Sequence, residues 1–229
     1  MKKIINHLKD NWVQHGFETF VIIVGILGAF LLNSWNEDRN QRIREIQLLI
    51  EMQNGLEGME KSFSSLLQET VEIQNSRQVI IDVIENEIVW HDSLQQHFNT
   101  FLLFYSFKFD MAAYNSLENW GINNLSNDNL RRQIVSLFQN EPTDLQIYFQ
   151  QEYDIIWLDL RKSTQLDVVN LSGLQPADYG AFIKNEELAL ELKWLKGLAE
   201  YNSLERQRVL ERIIELRENI NEEIERLRN

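Results

Sequence analysis

The feature that most restricts the fold of this chain is an apolar stretch near its N-terminus, from Trp12 to Trp35. The run from Thr19 to Asn36 carries no formal charge. As an α-helix its 18 residues would cover about 27 Å, close to the roughly 30 Å hydrocarbon layer of a bilayer. The two tryptophans lie at the two ends of the stretch, where they would reach the headgroup zone that aromatic rings prefer. The stretch therefore predicts a transmembrane helix, which we assign to residues 16–36.

This stretch has two other interpretations. A buried core helix of a soluble protein is one alternative, although such helices seldom lack a polar stripe over this length. A cleaved signal peptide is the other, but no small-x-small cleavage site follows the apolar run, which leads directly into Asn33-Ser34-Trp35-Asn36-Glu37. We expect an uncleaved membrane anchor.

The orientation of the anchor is not decided by the basic residues around it, because three precede the span and three follow it. The N-terminal amine and the lack of a basic excess further along the chain favour a cytoplasmic N-terminus. Residues 1–15 are then expected to lie along the cytoplasmic interface of a bacterial inner membrane, with the bulk of the chain in the periplasm. The six basic residues are Lys2, Lys3, Lys9, Arg39, Arg42 and Arg44.

The charge balance excludes one class of partner. The chain has a formal net charge of -13, and after the three basic and two acidic residues of the first 36 the remainder carries 19 basic and 33 acidic side chains. Such a surface repels nucleic acid.

The residue composition carries two further indications. The chain has no cysteine, so disulfides and thiol chemistry are absent. It has only two prolines and nine glycines, which favours long helices.

Two features inside the span suggest specific roles. Gly25 and Ala29, with Gly28 beside them, form a small-xxx-small pattern that lets helix backbones approach closely, so they are candidates for transmembrane self-association. The same pattern also occurs by chance in membrane helices. Glu18 is a charge at the edge of the span, and it either reaches headgroups and water or acts as a protonatable group in a helix bundle.

Residues 37–91 are predicted to form a long stalk helix that continues from the anchor. Apolar residues recur at alternating steps of three and four, and nine of the eleven positions in this heptad seam are apolar; Thr70 and Arg77 are the exceptions. Because the intervening positions are largely polar, the seam is expected to pack against other helices as in a coiled coil. The apolar seam residues are Leu49, Met52, Leu56, Met59, Phe63, Leu66, Ile73, Ile80 and Ile84.

Residues 92–183 are predicted to form a small helical head. Six aromatic residues lie between Phe98 and Phe109 and are expected to fill its core, with an aromatic cleft for sugars or peptides as the alternative. One short helix is expected to end at Gly121, a second before Pro142, and a third to cover 144–166. The glycines and proline between residues 168 and 180 predict a loop.

Residues 184–229 are predicted to form a long amphipathic return helix, antiparallel to the stalk. Its apolar face runs from Val209 to Leu227, and its other face is dense in Glu and Arg at spacings that permit intrahelical pairs. The expected architecture is therefore all-α: a single N-terminal transmembrane helix that continues into a long helical stalk, a small helical head and an antiparallel C-terminal return helix.

Three segments carry a family resemblance: GFETFVIIVGILGAFLLNSWNEDR, FDMAAYNSLENWGINNLSNDNLRRQIVSLF and the acidic C-terminal helix. The chain resembles an uncharacterised family of bacterial (Bacteroidota-type) single-pass envelope proteins with a Gly-Glu start, an Ile-Gly-Ile-Leu centre and an Asn-x-Trp-Asn-Glu exit of the span. Here Phe17 separates Gly16 from Glu18, and Val24 replaces the first isoleucine of the centre. The resemblance implies a membrane anchor with the helical region outside the cytoplasm, and no activity. The other matching positions are Gly25, Ile26, Leu27, Asn33, Trp35, Asn36, Glu37, Tyr114, Leu117, Gly121, Leu125, Asn127, Leu130 and Arg131.

The sequence offers little that points to catalysis. It has no GxGxxG, P-loop, HExxH or GxSxG motif, and His91 and His97, six residues apart, would point about 240° from each other on a helix. No catalytic residue, cofactor site or metal site is predicted. The expected function is that of a non-enzymatic oligomeric scaffold or accessory subunit of a membrane complex, whose partners are the lipid bilayer and either further copies or another membrane protein. A periplasmic ligand sensor is the alternative, and an unrecognised enzyme comes third.

Overall fold

The computed structural model describes residues 12–160, 164, 166–168 and 173–229, so the predicted interfacial segment over residues 1–15 lies largely outside the described residues. The fold is all-α, as the sequence predicts, with one small two-stranded sheet. The chain divides into two compact units, Met1–Gln47 and Leu48–Asn229, and helix α1, Trp12–Glu85, contributes residues to both.

The first unit consists of the N-terminal part of α1. Its large apolar side chains from Phe17 to Trp35 are 49–68% exposed to solvent. Among the described residues, α1 is the helix that contains a stretch long and apolar enough to cross a membrane. At the end of this stretch the Arg39 guanidinium lies 6.0 Å from the centre of the Trp35 ring, within range of a cation–π contact.

The second unit is built on three long helices: the rest of α1, α4 (Asp128–Asp154) and α6 (Glu186–Arg228). Contacts near the start of this part of α1 reach the end of α6, where the Gln53 amide donates to Asn221 at 3.1 Å. Contacts at the end of α1 reach the start of α6, where Glu85 pairs with Lys193. Helix α6 therefore runs antiparallel to α1, which confirms the predicted return helix.

Helix α4 also runs antiparallel to α6, and it continues through Pro142. The sequence predicts that the helix ends before this proline, and that prediction is wrong. Tertiary packing outweighs the missing backbone N–H, because residues on both sides of the proline are buried: Leu145 in the core, and Glu141 through an ion pair with Arg212 on α6. A π-helix, Ile155–Leu160, follows α4 directly.

Short elements connect α1 to α4. They are a 3-10 turn (Asp92–Leu94), α2 (Gln95–Thr100), α3 (Ala112–Trp120) and a second 3-10 turn (Ile122–Asn124). Helix α3 ends, as predicted, at a glycine, Gly121, whose φ of 102° favours a residue without a side chain.

The segment predicted as a loop between residues 168 and 180 contains regular structure in its described residues, and residues 169–172 lie outside them. Strands β1 (Leu166–Val168) and β2 (Leu174–Pro176) pair antiparallel, and the short helix α5 (Tyr179–Phe182) follows. Side chains of α2 hold β2 in place, because Asn99 accepts from the Leu174 N–H at 2.8 Å and Gln95 donates to the Leu174 carbonyl at 2.9 Å. These long-range hydrogen bonds have no local signature in the sequence.

Aromatic residues fill the core where α1, α2, α5 and α6 meet. The rings of Phe98 and Phe182 lie 5.2 Å apart, and those of Trp90 and Tyr179 lie 5.3 Å apart at nearly a right angle. The Tyr179 hydroxyl donates to the carbonyl of Ile88 at 2.8 Å. Of the six aromatic residues that the sequence predicts to fill the core, Phe98, Phe101 and Phe107 are buried, and the other three are half-buried.

Candidate functional site

The residues predicted to act in the membrane lie on the exposed part of α1. Gly25, Gly28 and Ala29 are exposed, and a Cβ added at either glycine would meet no atom of the described chain within 4 Å. This surface is open to another helix, and self-association through it stays a prediction. Glu18 is exposed as well, near the start of the apolar stretch.

The heptad seam of α1 is filled by side chains of the same chain. Phe63, at its centre, contacts the rings of Phe107 and Phe109 at 5.0 and 5.7 Å between centroids, and Ile80 belongs to the same core cluster as Leu192 of α6. The seam is therefore internal packing, and a surface for a second molecule has to lie elsewhere. The buried seam residues are Leu49, Met52, Leu56, Met59, Phe63, Ile73, Ile80 and Ile84, while Leu66 is half-buried.

A charged cluster lies inside the bundle where α4 packs against α6. The Arg206 guanidinium donates to Glu152 Oε1 at 2.7 Å, and the Asn202 amide donates to the same oxygen at 3.0 Å. All three side chains are almost fully buried. The guanidinium also lies 4.9 Å from the centre of the Phe107 ring. A buried carboxylate is held here by two donors, one of which is a cation.

Arg77 of α1 adds a second cation to this cluster. It donates to the carbonyls of Phe101 and Leu103, both at 2.9 Å. Burial lowers the pKa of Arg77 to about 10, with the Glu152 carboxylate opposing that shift and the Arg206 charge adding to it. Buried arginines are costly unless they are paired and hydrogen-bonded, so these contacts point to a structural role. Sequence analysis places Arg77 on the seam but gives no partner for it.

A second polar cluster joins the start of α4 to the end of α6. The Asn127 side chain caps α4 by accepting from the Asn129 and Leu130 N–H groups at 3.0 and 3.1 Å, and its amide donates to Glu223 Oε2 at 2.9 Å. The Arg226 hydrogen bond, followed by that of Asn127, lowers the pKa of Glu223 against the opposing effect of burial. The cluster borders an open surface groove of about 540 Å³.

The two histidines considered for a metal site serve other contacts. His91 Nδ1 lies 2.7 Å from the Ser93 hydroxyl, and His97 Nδ1 lies 3.1 Å from the Ser76 hydroxyl. Within the described residues, no group of three or more histidine, aspartate or glutamate side chains is placed to hold a metal ion.

An apolar stripe on α6 is exposed in the described part of the chain. Leu190, Trp194, Tyr201 and Leu204 are 66, 68, 55 and 62% exposed, and Gly197 lies between them. Their steps of four, three, four and three residues place all five positions within about 80° of the helix circumference, over about 21 Å of its length. We call these five residues the outer stripe.

The outer stripe lies opposite the face that α6 buries. Leu188, Leu192 and Leu195 are fully buried in the core, so α6 carries apolar residues on two sides in this region. Sequence analysis assigns one apolar face to the return helix and misses the second. The sequence does carry a signal for this second face. Leu190 and Leu204 lie two heptads apart, and Trp194 and Tyr201 lie between them at the spacing of one helix face.

Comparisons with protein-family models, with curated proteins and with solved structures give no match for this chain. Its function therefore has to be inferred from its own residues.

Proposed function

We propose that this chain is a non-enzymatic envelope protein, anchored in a bacterial inner membrane with its N-terminus in the cytoplasm and its helical bundle in the periplasm. There it acts as an oligomeric scaffold or as an accessory subunit of a membrane complex. The observation that carries the proposal is the exposed apolar stretch of α1 between Phe17 and Trp35, whose large apolar side chains are 49–68% exposed. The resemblance to single-pass envelope proteins supports the same location.

The size of this exposed surface argues for lipid as its environment. Twelve large apolar side chains between Phe17 and Trp35 are each about half exposed or more. At roughly 100 Å² each they present about 1,000 Å² or more, which exceeds the few hundred Å² that a soluble monomer usually exposes in one patch. At about 25 cal/mol per Å², removing this surface from water contributes on the order of 25 kcal/mol.

The polar groups of the bundle support a structural rather than a catalytic role. The buried carboxylate of Glu152 is neutralised by Arg206, and Arg77 is engaged by backbone carbonyls. Glu223, whose pKa is lowered, is tied to a helix cap. A general acid or base needs a pKa near the working pH and access to a substrate, and these groups are held by internal partners instead.

The membrane anchor is tested by placing charge inside it. Arginine at the centre of a membrane helix costs about 2.5–3.5 kcal/mol per residue on insertion scales, so Ile23→Arg combined with Leu27→Arg should abolish stable insertion. The matched control puts the same two changes at exposed apolar positions of the bundle, Val71 and Val89, which are 56 and 79% exposed. After an alkaline carbonate wash of membranes, the wild type and the control should stay in the pellet.

Release of the wild-type chain by carbonate would refute the anchor, and so would retention of the doubly charged anchor variant. Orientation is tested separately with Val89→Cys, since the chain has no cysteine of its own. A membrane-impermeant maleimide should label this position in intact cells whose outer membrane has been permeabilised. Labelling only after the inner membrane is broken would contradict the periplasmic location.

The scaffold role is tested by the mass of the full chain after extraction in a mild detergent. A mass above that of one chain plus its micelle, made of further copies or of a reproducible membrane-protein partner, is expected. Recovery as a monomer over the whole accessible concentration range would contradict this role while leaving the membrane anchor intact.

A further inference from the structure

We infer that the helix face formed by Trp35, Arg39 and Arg42 binds the phosphate of a phospholipid headgroup where α1 leaves the membrane. This inference rests on the proposed membrane anchor and names a ligand for the end of its span. All three residues belong to the first compact unit. Trp35 is 63% exposed and both arginines are exposed as well, so the face is open to lipid.

The three residues share one side of the helix. Arg39 and Arg42 follow Trp35 by four and seven residues, which places them about 40° to one side of it and about 20° to the other. The helical rise puts their Cα atoms about 6 and 10.5 Å beyond that of Trp35. Because the apolar stretch ends at Trp35, both arginines follow at the point where the hydrocarbon layer gives way to headgroups.

The Arg39 guanidinium is directed back toward the span. Side chains on an α-helix lean toward its N-terminus, and for this part of α1 that is the direction of the apolar stretch. Arg39 shows this lean, because its guanidinium lies 6.0 Å from the centre of the Trp35 ring, one turn earlier. The charge therefore lies level with an aromatic ring that prefers the headgroup zone. We expect the same lean of Arg42.

Neither arginine is neutralised by a carboxylate of the described residues. Arg39 contacts the Trp35 ring, and Arg42 forms no ion pair or side-chain hydrogen bond within this part of the chain. Arginines of the second unit mostly pair with carboxylates instead, as Arg131 does with Asp128 at 3.0 Å. Two unpaired guanidinium groups on one face suit a phosphate, because each can donate two parallel hydrogen bonds to its oxygens.

The carboxylates closest in sequence do not occupy this face. Glu37 lies about 160° from Trp35, on the far side of the helix. Asp38 precedes Arg42 by four residues, but no ion pair joins the two among the described residues. An exposed pair at this spacing would contribute little in any case, so Asp38 competes weakly with a phosphate.

The acidity of the remaining chain gives this face a purpose. Beyond the first 36 residues the chain carries 19 basic and 33 acidic side chains, and a negatively charged membrane surface repels such a balance. Arg39 and Arg42 are the first two basic residues after the span. Phosphate binding by them offsets the repulsion locally and fixes the depth at which the helix lies in the bilayer.

Arg44 provides a matched control for the face. It follows Trp35 by nine residues and so lies about 180° from it around the helix, where its guanidinium donates to the Gln47 side chain at 3.4 Å. It carries the same charge as Arg39 and Arg42 at nearly the same height. An effect of charge alone would therefore appear in Arg44→Gln as well, whereas phosphate binding by the face would not.

Native mass spectrometry of the full chain in a mild detergent tests the inference. The probe is phosphatidylglycerol, whose phosphate is the only charge of its headgroup. Each arginine close to such a phosphate contributes roughly fivefold to binding, so Arg39→Gln combined with Arg42→Gln should weaken binding of the lipid about 25-fold. Arg44→Gln should stay within about twofold of wild type. Both changes are at exposed helix positions and glutamine is a good helix former, so the circular dichroism should not change.

Inorganic phosphate distinguishes a lipid from a free anion. Added in excess, it should leave the lipid bound to the wild-type chain. Displacement of the lipid, together with phosphate binding that depends on the same two arginines, would show a site for free phosphate and overturn the inference. Lipid binding by the double variant within about twofold of wild type would overturn it too, and so would an equal loss in Arg44→Gln.

Carbonate washing keeps this inference separate from the proposed function. The double variant and Arg44→Gln should both stay in the membrane pellet, because the apolar stretch is unchanged. Unaltered lipid binding by a double variant that stays in the pellet would refute the phosphate site and leave the membrane anchor intact. Release of the wild-type chain would refute the anchor and, with it, the phosphate site.

Discussion

Replacing the buried carboxylate of Glu152 with the isosteric amide, in Glu152→Gln, should be among the most damaging single changes in the bundle. Its Oε1 accepts from Arg206 at 2.7 Å, and the two side chains are 3 and 2% exposed. The carboxylate also offsets the charge of Arg77. Without it, two guanidinium groups remain buried with no anion in the cluster. Leaving a buried charge uncompensated costs about 3–5 kcal/mol, a large part of the 5–15 kcal/mol that stabilises a typical domain.

Removing one of the cations should cost less than removing the anion. In Arg206→Met, Glu152 keeps the hydrogen bond from Asn202 and the charge of Arg77, so the expected loss is about 1.5–3 kcal/mol. Lys61→Met provides the exposed control. Lys61 is 75% exposed and pairs with Glu57 at 2.6 Å, and its removal should cost less than about 1 kcal/mol.

Urea unfolding of the full chain in detergent, followed by circular dichroism and tryptophan fluorescence, gives the order of these effects. The midpoints should fall from wild type through Lys61→Met and Arg206→Met to Glu152→Gln, with similar dependence on denaturant. A Glu152→Gln midpoint equal to that of Lys61→Met, or higher than that of Arg206→Met, would refute the view that one carboxylate neutralises both arginines.

Two other predictions concern acid stability and two exposed glycines of the bundle. The lowered pKa of Glu223 means that its stabilising effect is complete above its ordinary value of 4.5 and is lost as the pH falls through its folded value, so the difference in unfolding midpoint between wild type and Glu223→Gln should shrink towards low pH. Gly197→Ala and Gly58→Ala should both stabilise their helices by about 0.5–1 kcal/mol, since neither Cβ meets a described atom within 4 Å. Urea unfolding of the full chain in detergent should show a higher midpoint for each variant, and a lowered midpoint would contradict open space at that position.

Local patterns were sufficient to predict the long helices. The period of the seam around Phe63 identifies the buried face of α1, because an amphipathic helix repeats its apolar positions every three to four residues whatever it packs against. Proline rules failed at Pro142, where packing on α6 outweighs a local preference.

The polar features of the bundle could not be predicted in the same way. Glu152 and Arg206 are 54 residues apart in the sequence, and each resembles a solvated charge on an amphipathic helix. The one local hint was Arg77, a charge on an otherwise apolar seam. The spacing of the outer stripe is visible in the sequence, but the sequence does not show that Trp194 is exposed, because an exposed and a buried apolar residue look alike until the neighbouring helices are placed.

The charged contact between Glu152 and Arg206 also fixes how the long helices can slide along each other. Leucine and isoleucine layers look similar from one turn to the next, so an apolar bundle alone tolerates a shift of about 5.4 Å at modest cost. Such a shift would break the present pairing of Glu152 with Arg206 and Asn202, and it would also separate Glu141 from Arg212 and Asn127 from Glu223. These polar contacts together favour one register of α4 against α6, in the way that one buried asparagine sets the alignment of a leucine zipper.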